Sequence, residues 1–531
     1  MDQCAHMDQV KEVQPSSEGC ADCIALGDTW VHLRMCMTCG YVGCCDDSKN
    51  QHARKHFQST GHAIIKSLEL GEQWGWCFVD EIQVQFSQQD QNEDRSSGVI
   101  RSYLLIAGLY TLSASLIWGV NTLFLLDAGL GIFEVFIANA FFTGSMALFE
   151  IPTGVLADTR GRRTSFLLSV VVLSIGTLGY VGVSALGGGL LFFSLMSVVL
   201  GLGYTFYSGA TEAWLVDALQ ATGYRGELDR IFARSSLVTG AAMLIGSVGG
   251  GILGDFNLAL PFLARAGLLG IVFLVAYLTM FDIGFKPRGM DLKAMPGEMR
   301  KIARDSITFG WQQNSMRLLI ITGFVQSTFF IWGFYAWQPY FLELLGQELV
   351  WVSGVVAALV ALATMAGNFT VEWFTRFCGR RTTLLIWAAV IQTVAAIGVG
   401  IAGSFWLALA LYLVVMAASG VWTPVRQAYI NKLTPSEQRA TVISFDSLVS
   451  SGGSVLGQTM LGRVSQTRSI AAAYVIGGLV TALAWPALLL LRRRDDGEDI
   501  IVGTAGDYGA CAAQGVPNIS SVDTTAQVSE I

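Results

Sequence analysis

The chain has 531 residues, of which 53% are hydrophobic and only 14% charged, against roughly 25% charged in soluble domains. So few charges cannot cover a water-soluble globule of this size, which makes a bilayer the expected surroundings and lipid a first partner. The net charge of −7 lies largely in the terminal segments; it identifies no partner, and nothing in the pattern calls for nucleic acid.

In chain order, the first feature is chemical. All five histidines and eight of the ten cysteines fall within residues 1–77. Met1-Asp2-Gln3-Cys4 shows no basic stretch followed by an apolar core, so no cleavable signal is visible, and the amino terminus is expected in the cytoplasm, where thiols stay reduced. The candidate ligands run Cys4-x-His6, Cys20-x-x-Cys23, Cys36-x-x-Cys39, Cys44, His52, His56, His62 and Cys77. A Cys-x-x-Cys turn lets two thiolates reach one ion, and His52 and His56, four apart, share one helix face. Zinc is the expected cofactor.

Trp30, Cys36-Met37-Thr38-Cys39-Gly40-Tyr41-Val42-Gly43-Cys44, His52-x-x-x-His56-Phe57 and Thr60-Gly61-His62 together resemble the ubiquitin-protease type zinc finger. The resemblance implies one zinc on Cys20, Cys23, Cys44 and His52 and a second on Cys36, Cys39, His56 and His62. It offers a third site on Cys4, His6 and Cys77, where Asp80 stands in place of the family's last cysteine. Cys45 and His32 are left over as non-ligands. Binding fingers of this family hold the Gly-Gly carboxyl-terminal tail of ubiquitin between tryptophan walls and an arginine; Trp30, Trp76 and Phe78 resemble the walls. Cys45-Asp46-Asp47 stands where the arginine is usual, and two carboxylates beside a carboxylate pocket weaken tail capture. Ubiquitin is expected to bind poorly, leaving another protein's carboxyl terminus or a purely structural role.

The polar segment of residues 81–100 reads as a linker. Beyond it, apolar tracts of membrane-span length recur, and we count twelve segments. Segment one is Ser102–Leu126 and segment two is about 132–155. Thr164–Thr211 holds segments three and four, broken at Gly187-Gly188-Gly189; about 235–254 and 261–281 complete the first six. The charged stretch of residues 286–317 separates the halves. Leu318–Leu342, Leu349–Val371, Thr382–Val425 (two segments), about 440–462 and Ser469–Leu491 form the second six.

Lysine and arginine resist translocation, and with a cytoplasmic amino terminus only Arg265, Arg463 and Arg468 would fall outside. An odd number of crossings would put Arg492–Arg494 outside, so both termini are expected in the cytoplasm of a multi-pass plasma-membrane protein. The halves repeat: Gly161-Arg162-Arg163-Thr164 follows segment two and Gly379-Arg380-Arg381-Thr382 follows segment eight. Six-segment repeats with a site between them are a transporter design.

Gly154-Val155-Leu156-Ala157-Asp158-Thr159-Arg160-Gly161-Arg162-Arg163 resembles the signature of the major facilitator superfamily, over about residues 100–494. In such a signature glycines allow close packing, the arginines anchor at the interface, and Asp158 can face the positive start of another helix. The expected receiver is segment eleven, opened by the capping box Thr434-Pro435-Ser436-Glu437. Gly246-Ser247-Val248-Gly249-Gly250-Gly251 is similar to the superfamily's antiporter signature, with Ser247 replacing proline; it hints at efflux, and tight packing explains it equally well.

The fold expected is thus an all-α polytopic membrane protein of 12 helices in two six-helix repeats, with a small α+β zinc-binding domain at the amino terminus. The domains are residues 1–85, a linker at 86–100, half-bundles at 101–285 and 318–494, a cytoplasmic loop at 286–317 and a disordered tail at 495–531. Carboxylates within apolar segments are costly and point to function: Glu150, Glu212, Asp217 and, deepest, Asp446, the expected proton carrier. Glu212 and Asp217 also have Arg225, Arg230 and Arg234 within reach as ordinary ion-pair partners. Asn121, Tyr207, Gln326, Trp332 and Trp422 are the cavity candidates, aromatic and sparsely charged, suiting a lipophilic small molecule better than a polyanion. No histidine follows His62, and only Cys378 and Cys511 lie beyond the finger, so no Cys-His nucleophile can form there and an enzyme is not expected. A secondary transporter with a regulatory or recruiting finger is the leading reading; a membrane-anchored sensor that does not transport is the alternative.

Overall fold

The computed structural model describes residues 4–11, 13–69, 72, 74–85, 88–224, 226–285, 311, 313–347, 349–435, 438–494 and 497–501. The chain divides into two compact units, Met1–Val99 with Leu219–Gly226, and Ile100–Ala218 with Glu227–Ile531.

The first unit is built on a five-stranded antiparallel sheet of order β2-β1-β3-β4-β5, from β1 Leu33–Cys36, β2 Val42–Cys44, β3 Ile64–Ser67, β4 Trp74–Cys77 and β5 Ile82–Gln85. Helix α1, Ala21–Leu26, precedes β1, and α2, His52–Thr60, joins β2 to β3. Gly43 in β2 lets that strand lie against the start of α2; a Cβ there would meet the Ala53 nitrogen at 2.6 Å. The apolar core is small: Met35, Met37, Val42, Ala63, Ile64, Cys77 and Val84. A domain this size buries too little to be stable on apolar contacts alone, which is the circumstance in which metals take over.

The second unit is helical, and the helices Gln88–Ser115 and Ala210–Ala221 also supply residues to the first. Segment one comprises Gln88–Ser115 and Asn121–Asp127, and segment two is Ile132–Arg160. Segments three to six are Arg162–Ala185, Leu190–Tyr207 continued by Ala210–Ala221, Leu228–Phe256 and Leu260–Thr279. Segments seven to twelve are Asn314–Leu345, Val350–Thr375, Arg381–Ile401, Phe405–Leu433, Arg439–Thr467, and Ile470–Thr481 with Ala484–Arg493. Among the described residues ten of these are long and apolar enough to cross a membrane. Segments one and eleven are helical but fall short of that measure: segment one is broken at 116–120 and its longer helix begins in the polar residues 88–97, and segment eleven is rich in serine, glycine and glutamine.

The six-segment repeat extends to atomic packing. Gly246 and Gly250 of segment five lie against the Leu112 and Leu116 carbonyls of segment one, and Gly453 and Gly457 of segment eleven lie against the Phe324 and Thr328 carbonyls of segment seven. Ser115 donates to the Leu112 and Ala242 carbonyls, and Ser327 to those of Phe324 and Ser450. The same four-residue glycine spacing thus locks one helix pair in each half, as small residues do where helices must approach closely. The antiporter-like motif at 246–251 is therefore also a packing seam.

Three sequence expectations change. The supposed linker contains strand β5 and the start of the helix Gln88–Ser115, because glutamine, glutamate and arginine are helix formers however polar they are. The start of the tail is ordered: Asp499 is buried, accepting from the Thr382 nitrogen at 2.8 Å and the Thr382 hydroxyl at 2.6 Å. Residues 502–531 lie outside the described residues. Thr434 does not cap segment eleven; it ends segment ten, donating to the Ile430 carbonyl at 2.7 Å, and segment eleven starts at Arg439. Ser436 and Glu437 lie outside the described residues, as do Arg225 and most of the 286–317 loop.

Candidate functional site

In the first unit the ligand candidates converge as three groups of four, with the candidate ligand atoms of each within 4.8 Å of one another: Cys20, Cys23, Cys44 and His52; Cys36, Cys39, His56 and His62; Cys4, His6, Cys77 and Asp80. The first group joins the turn of α1, the end of β2 and the start of α2, so one ion there would tie three elements together. In it the Cys23 and Cys44 sulfurs are 3.7 Å apart, and His52 Nδ1 is 3.2, 3.3 and 3.5 Å from the sulfurs of Cys20, Cys23 and Cys44. A zinc tetrahedron with bonds of about 2.3 Å to sulfur and about 2.0–2.1 Å to nitrogen has edges of about 3.8 and about 3.6 Å, so the donor set fits that ion. In the second group Cys36 lies 3.6 Å from His62 Nδ1 and Cys39 3.3 Å from His56 Nε2, with Tyr41 stacked on His56 at 4.3 Å.

The third group is different in kind. His6 Nδ1 and Asp80 Oδ2 are 2.9 Å apart, a hydrogen-bond distance, and Cys77 lies 3.8 and 3.6 Å from them. Hydrogen bonds from the His6 ring and then the Cys4 thiol hold the Asp80 carboxyl down to about 2, so it is ionised at neutral pH. His32 lies 3.5 Å from Glu69, and Cys45 lies 3.4 Å from the Ser48 hydroxyl; both stand outside the three groups.

The three aromatic wall candidates fall in different settings. Trp30 packs on the first metal group and against Gly19, Trp76 lies half-buried in β4 opposite Ile65, and Phe78 stacks on Phe57 at 5.0 Å. The Arg54 guanidinium lies 5.4 Å over Phe78 and is held by Asp46 at 2.6 Å. Sequence reading missed this arginine because it sits on α2 rather than beside the last cysteine.

In the second unit a cavity of about 500 Å³ lies between the six-segment halves, lined from segments one, two, three, four, six, seven and eleven. Of the five cavity candidates only Asn121 lines it. Tyr207 stacks at 3.8 Å on Tyr110, which does. Gln326 is buried with its amide atoms unbonded, while Trp332 and Trp422 belong to the cores of the carboxyl-terminal half. The lining that sequence reading missed is Tyr110, Tyr180, Tyr204 and Tyr335, a row of serines on segment eleven, and Arg265. Arg265 was expected outside; it is 8% exposed within the helix Leu260–Thr279 and faces the cavity.

Most hydrogen bonds between the halves lie at one end, that of the 128–131 and 346–349 connections, while midway along the bundle Gln458 donates to the Thr143 hydroxyl at 3.1 Å. Thr122 donates from its nitrogen to Gln338 Oε1 and from its hydroxyl to the Tyr335 carbonyl, both at 2.9 Å, and Gln338 donates to the Trp118 carbonyl at 2.8 Å. The Phe133 nitrogen donates to Gln466 at 3.1 Å. Gly251 and Gly354 touch backbone to backbone: a Cβ on Gly354 would meet the Ser247 carbonyl at 2.6 Å. Towards the opposite end, Ser447 donates to Glu150 at 3.4 Å.

Of the charged candidates, Asp158, Arg162, Asp217 and Asp446 form ion pairs. Arg162 bonds Asp158 at 2.7 Å and lies 3.9 Å from Asp217, joining segments two, three and four. Arg163 is held by Asp282, which accepts from its nitrogen at 2.9 Å, and by the Tyr277 carbonyl at 2.7 Å. Gly161, at φ +103°, makes room there, since a Cβ would strike the Asp282 carboxylate. Asp499 holds the equivalent turn before segment nine, so Asp282 and Asp499 are matched caps that sequence reading missed. Arg230 bonds Glu227 at 3.1 Å, and Glu212 lies in the helix Ala210–Ala221 at the end of segment four. Asp446 pairs with Arg426, one nitrogen at 2.9 Å and a second closer, and Arg426 also donates to the Leu319 carbonyl at 3.0 and 3.2 Å. Arg426, one residue beyond the expected end of segment ten at Val425, lies inside the helix Phe405–Leu433.

A bundle of two matched halves around a central cavity is the architecture of a transporter, and comparison with known proteins gives the family. Residues 103–376 and 350–510 match the Major Facilitator Superfamily, and residues 20–89 match the Zn-finger in ubiquitin-hydrolases and other protein. The chain belongs to the Major Facilitator Superfamily and carries a zinc finger of the ubiquitin-protease type. It is 21% identical over 390 residues to the uncharacterized MFS-type transporter YxaM of Bacillus subtilis (strain 168), covering 71% of this chain and 91% of that one. Ubiquitin carboxyl-terminal hydrolase 16 of Danio rerio is 39% identical over 61 residues, 11% of this chain and 7% of the hydrolase. The crystal structure of nucleoside transporter NupG matches with a TM-score of 0.62 at 11% identity, over 74% of this chain and 99% of that one.

Proposed function

We propose that the protein is a secondary transporter that carries a small molecule through the central cavity by alternating access, with both termini in the cytoplasm of the plasma membrane. The carrying observation is a cavity of about 500 Å³ between the repeats, with most of the cross-half bonds at one end. With cytoplasmic termini that end is the outer one, and the state described is closed outward.

Proton coupling is assigned to Glu150. Asp446 is engaged by Arg426, and carrying a proton there would require the pair to part, whereas Glu150 meets the neutral Ser447 hydroxyl across the halves. The zinc finger holds two zinc ions, with Cys4, His6, Cys77 and Asp80 as a third site, and acts as a regulatory or partner-recruiting domain. Its fit to the tail of free ubiquitin is weakened by Asp46, which occupies Arg54.

The test is flux in vesicles holding the full chain. A pH gradient should drive uptake or efflux, and Glu150→Gln should abolish the response to that gradient while leaving exchange of substrate across the membrane. A Glu150→Gln variant that keeps full gradient-driven flux would remove the coupling assignment.

A further inference from the structure

We infer that the transported molecule is an organic monoanion, a carboxylate on an aromatic or apolar body, bound through Arg265; the inference rests on the transporter reading above. Arg265 is 8% exposed, lies at the cavity wall, and its Nε has no hydrogen-bond partner. No aspartate or glutamate is among the described residues lining the cavity, and no ion pair to Arg265 is found among the described residues. A guanidinium withdrawn from water without a counter-charge is strongly disfavoured, so its presence implies that something else supplies the charge.

A second orphan points the same way. Asn139 accepts from Asn121 at 3.3 Å, but its own amide nitrogen is buried and unbonded, and it too lines the cavity. The unmet groups on this wall are both donors, one charged and one neutral, which is the complement of a carboxylate. Among the described residues lining the cavity Arg265 is the one formal charge, so a monoanion is balanced, whereas a phosphate dianion would leave a buried charge unpaired. Phe330, Phe334 and Trp118 supply an apolar wall for the rest of the molecule, and about 500 Å³ is within the roughly 300–1,000 Å³ of small-molecule sites.

The experiment uses the full chain, purified and in vesicles, with matched carboxylate, amide and amine forms of benzoate, 3-phenylpropionate and indole-3-acetate. At least one carboxylate should bind about tenfold or more tightly than its amide and amine, the difference expected of a charge-assisted pair. Arg265→Gln should erase that preference and Arg265→Lys should retain part of it. Without ligand, Arg265→Gln should melt at or above the parent temperature, because an uncompensated buried charge has been removed. The inference is overturned if amides or amines bind as well as every carboxylate, if no carboxylate binds, or if Arg265→Gln melts lower, which would make Arg265 a structural residue. Flux of neutral or cationic compounds in a chain that binds no carboxylate overturns this inference alone; absence of any flux removes the transporter reading with it.

Discussion

At the scale of single residues, the metal ligands and the membrane charges obey opposite economies. Cys36 and His56 are useful because an ion would satisfy them, so replacing either by alanine should remove one zinc per chain. Replacing His32, which lies beside Glu69, should leave the content unchanged; metal analysis of the purified protein checks both. Asp446 and Arg426 satisfy each other, so Asp446→Asn should lower stability by about 3–5 kcal/mol, the effect of stranding one partner of a buried pair. Replacing both with apolar residues of similar volume should recover much of that loss in a thermal melt. The ligands were legible because a zinc turn constrains near neighbours, leaving Cys-x-x-Cys in plain view. Arg265 was visible too, alone in an apolar tract, but charge position was read for topology and not for the cavity. Arg426 could not be recognised as a partner of Asp446, since only the fold brings residues twenty apart on separate helices together.

At the scale of elements, apolar run length located the segments, and the described helices begin or end within a few residues of most of those limits. It failed where polarity was equated with irregular chain, at residues 88–99, and it could not foresee that Asp282 and Asp499 cap the starts of segments three and nine. Each cap answers free helix N–H groups, so Asp282→Ala and Asp499→Ala should each cost about 1 kcal/mol of stability and together about twice that. Differential melting of the two single variants and the double variant measures this, and a null effect of both would show that the caps do not hold the repeat's turns. The glycine seams were only half legible: 246–251 was seen as a motif, whereas Gly453 and Gly457 became meaningful once segment eleven was packed on segment seven.

At the scale of the whole molecule, two matched halves are bonded mostly at one end and leave a cavity between them. Six-segment repetition could be read from the Gly-Arg-Arg-Thr motifs, but the cavity could not: in helices apolar on every side, periodicity does not mark the face that meets the substrate. The seal at Gly251 and Gly354 should be indispensable to the cycle, because a side chain there forces segments five and eight apart. Gly354→Val should slow flux by about tenfold, the order expected from 1–3 kcal/mol of overpacking felt in one state only.

The most direct measurement of the central claim is flux of small molecules into vesicles containing the full chain, under imposed pH gradients of either sign, with protein-free vesicles alongside. Alternating access through the cavity predicts saturable, gradient-responsive movement of at least one compound, slowed by Gly354→Val. No movement above the protein-free background in either direction, from a folded protein that retains its zinc, would contradict it.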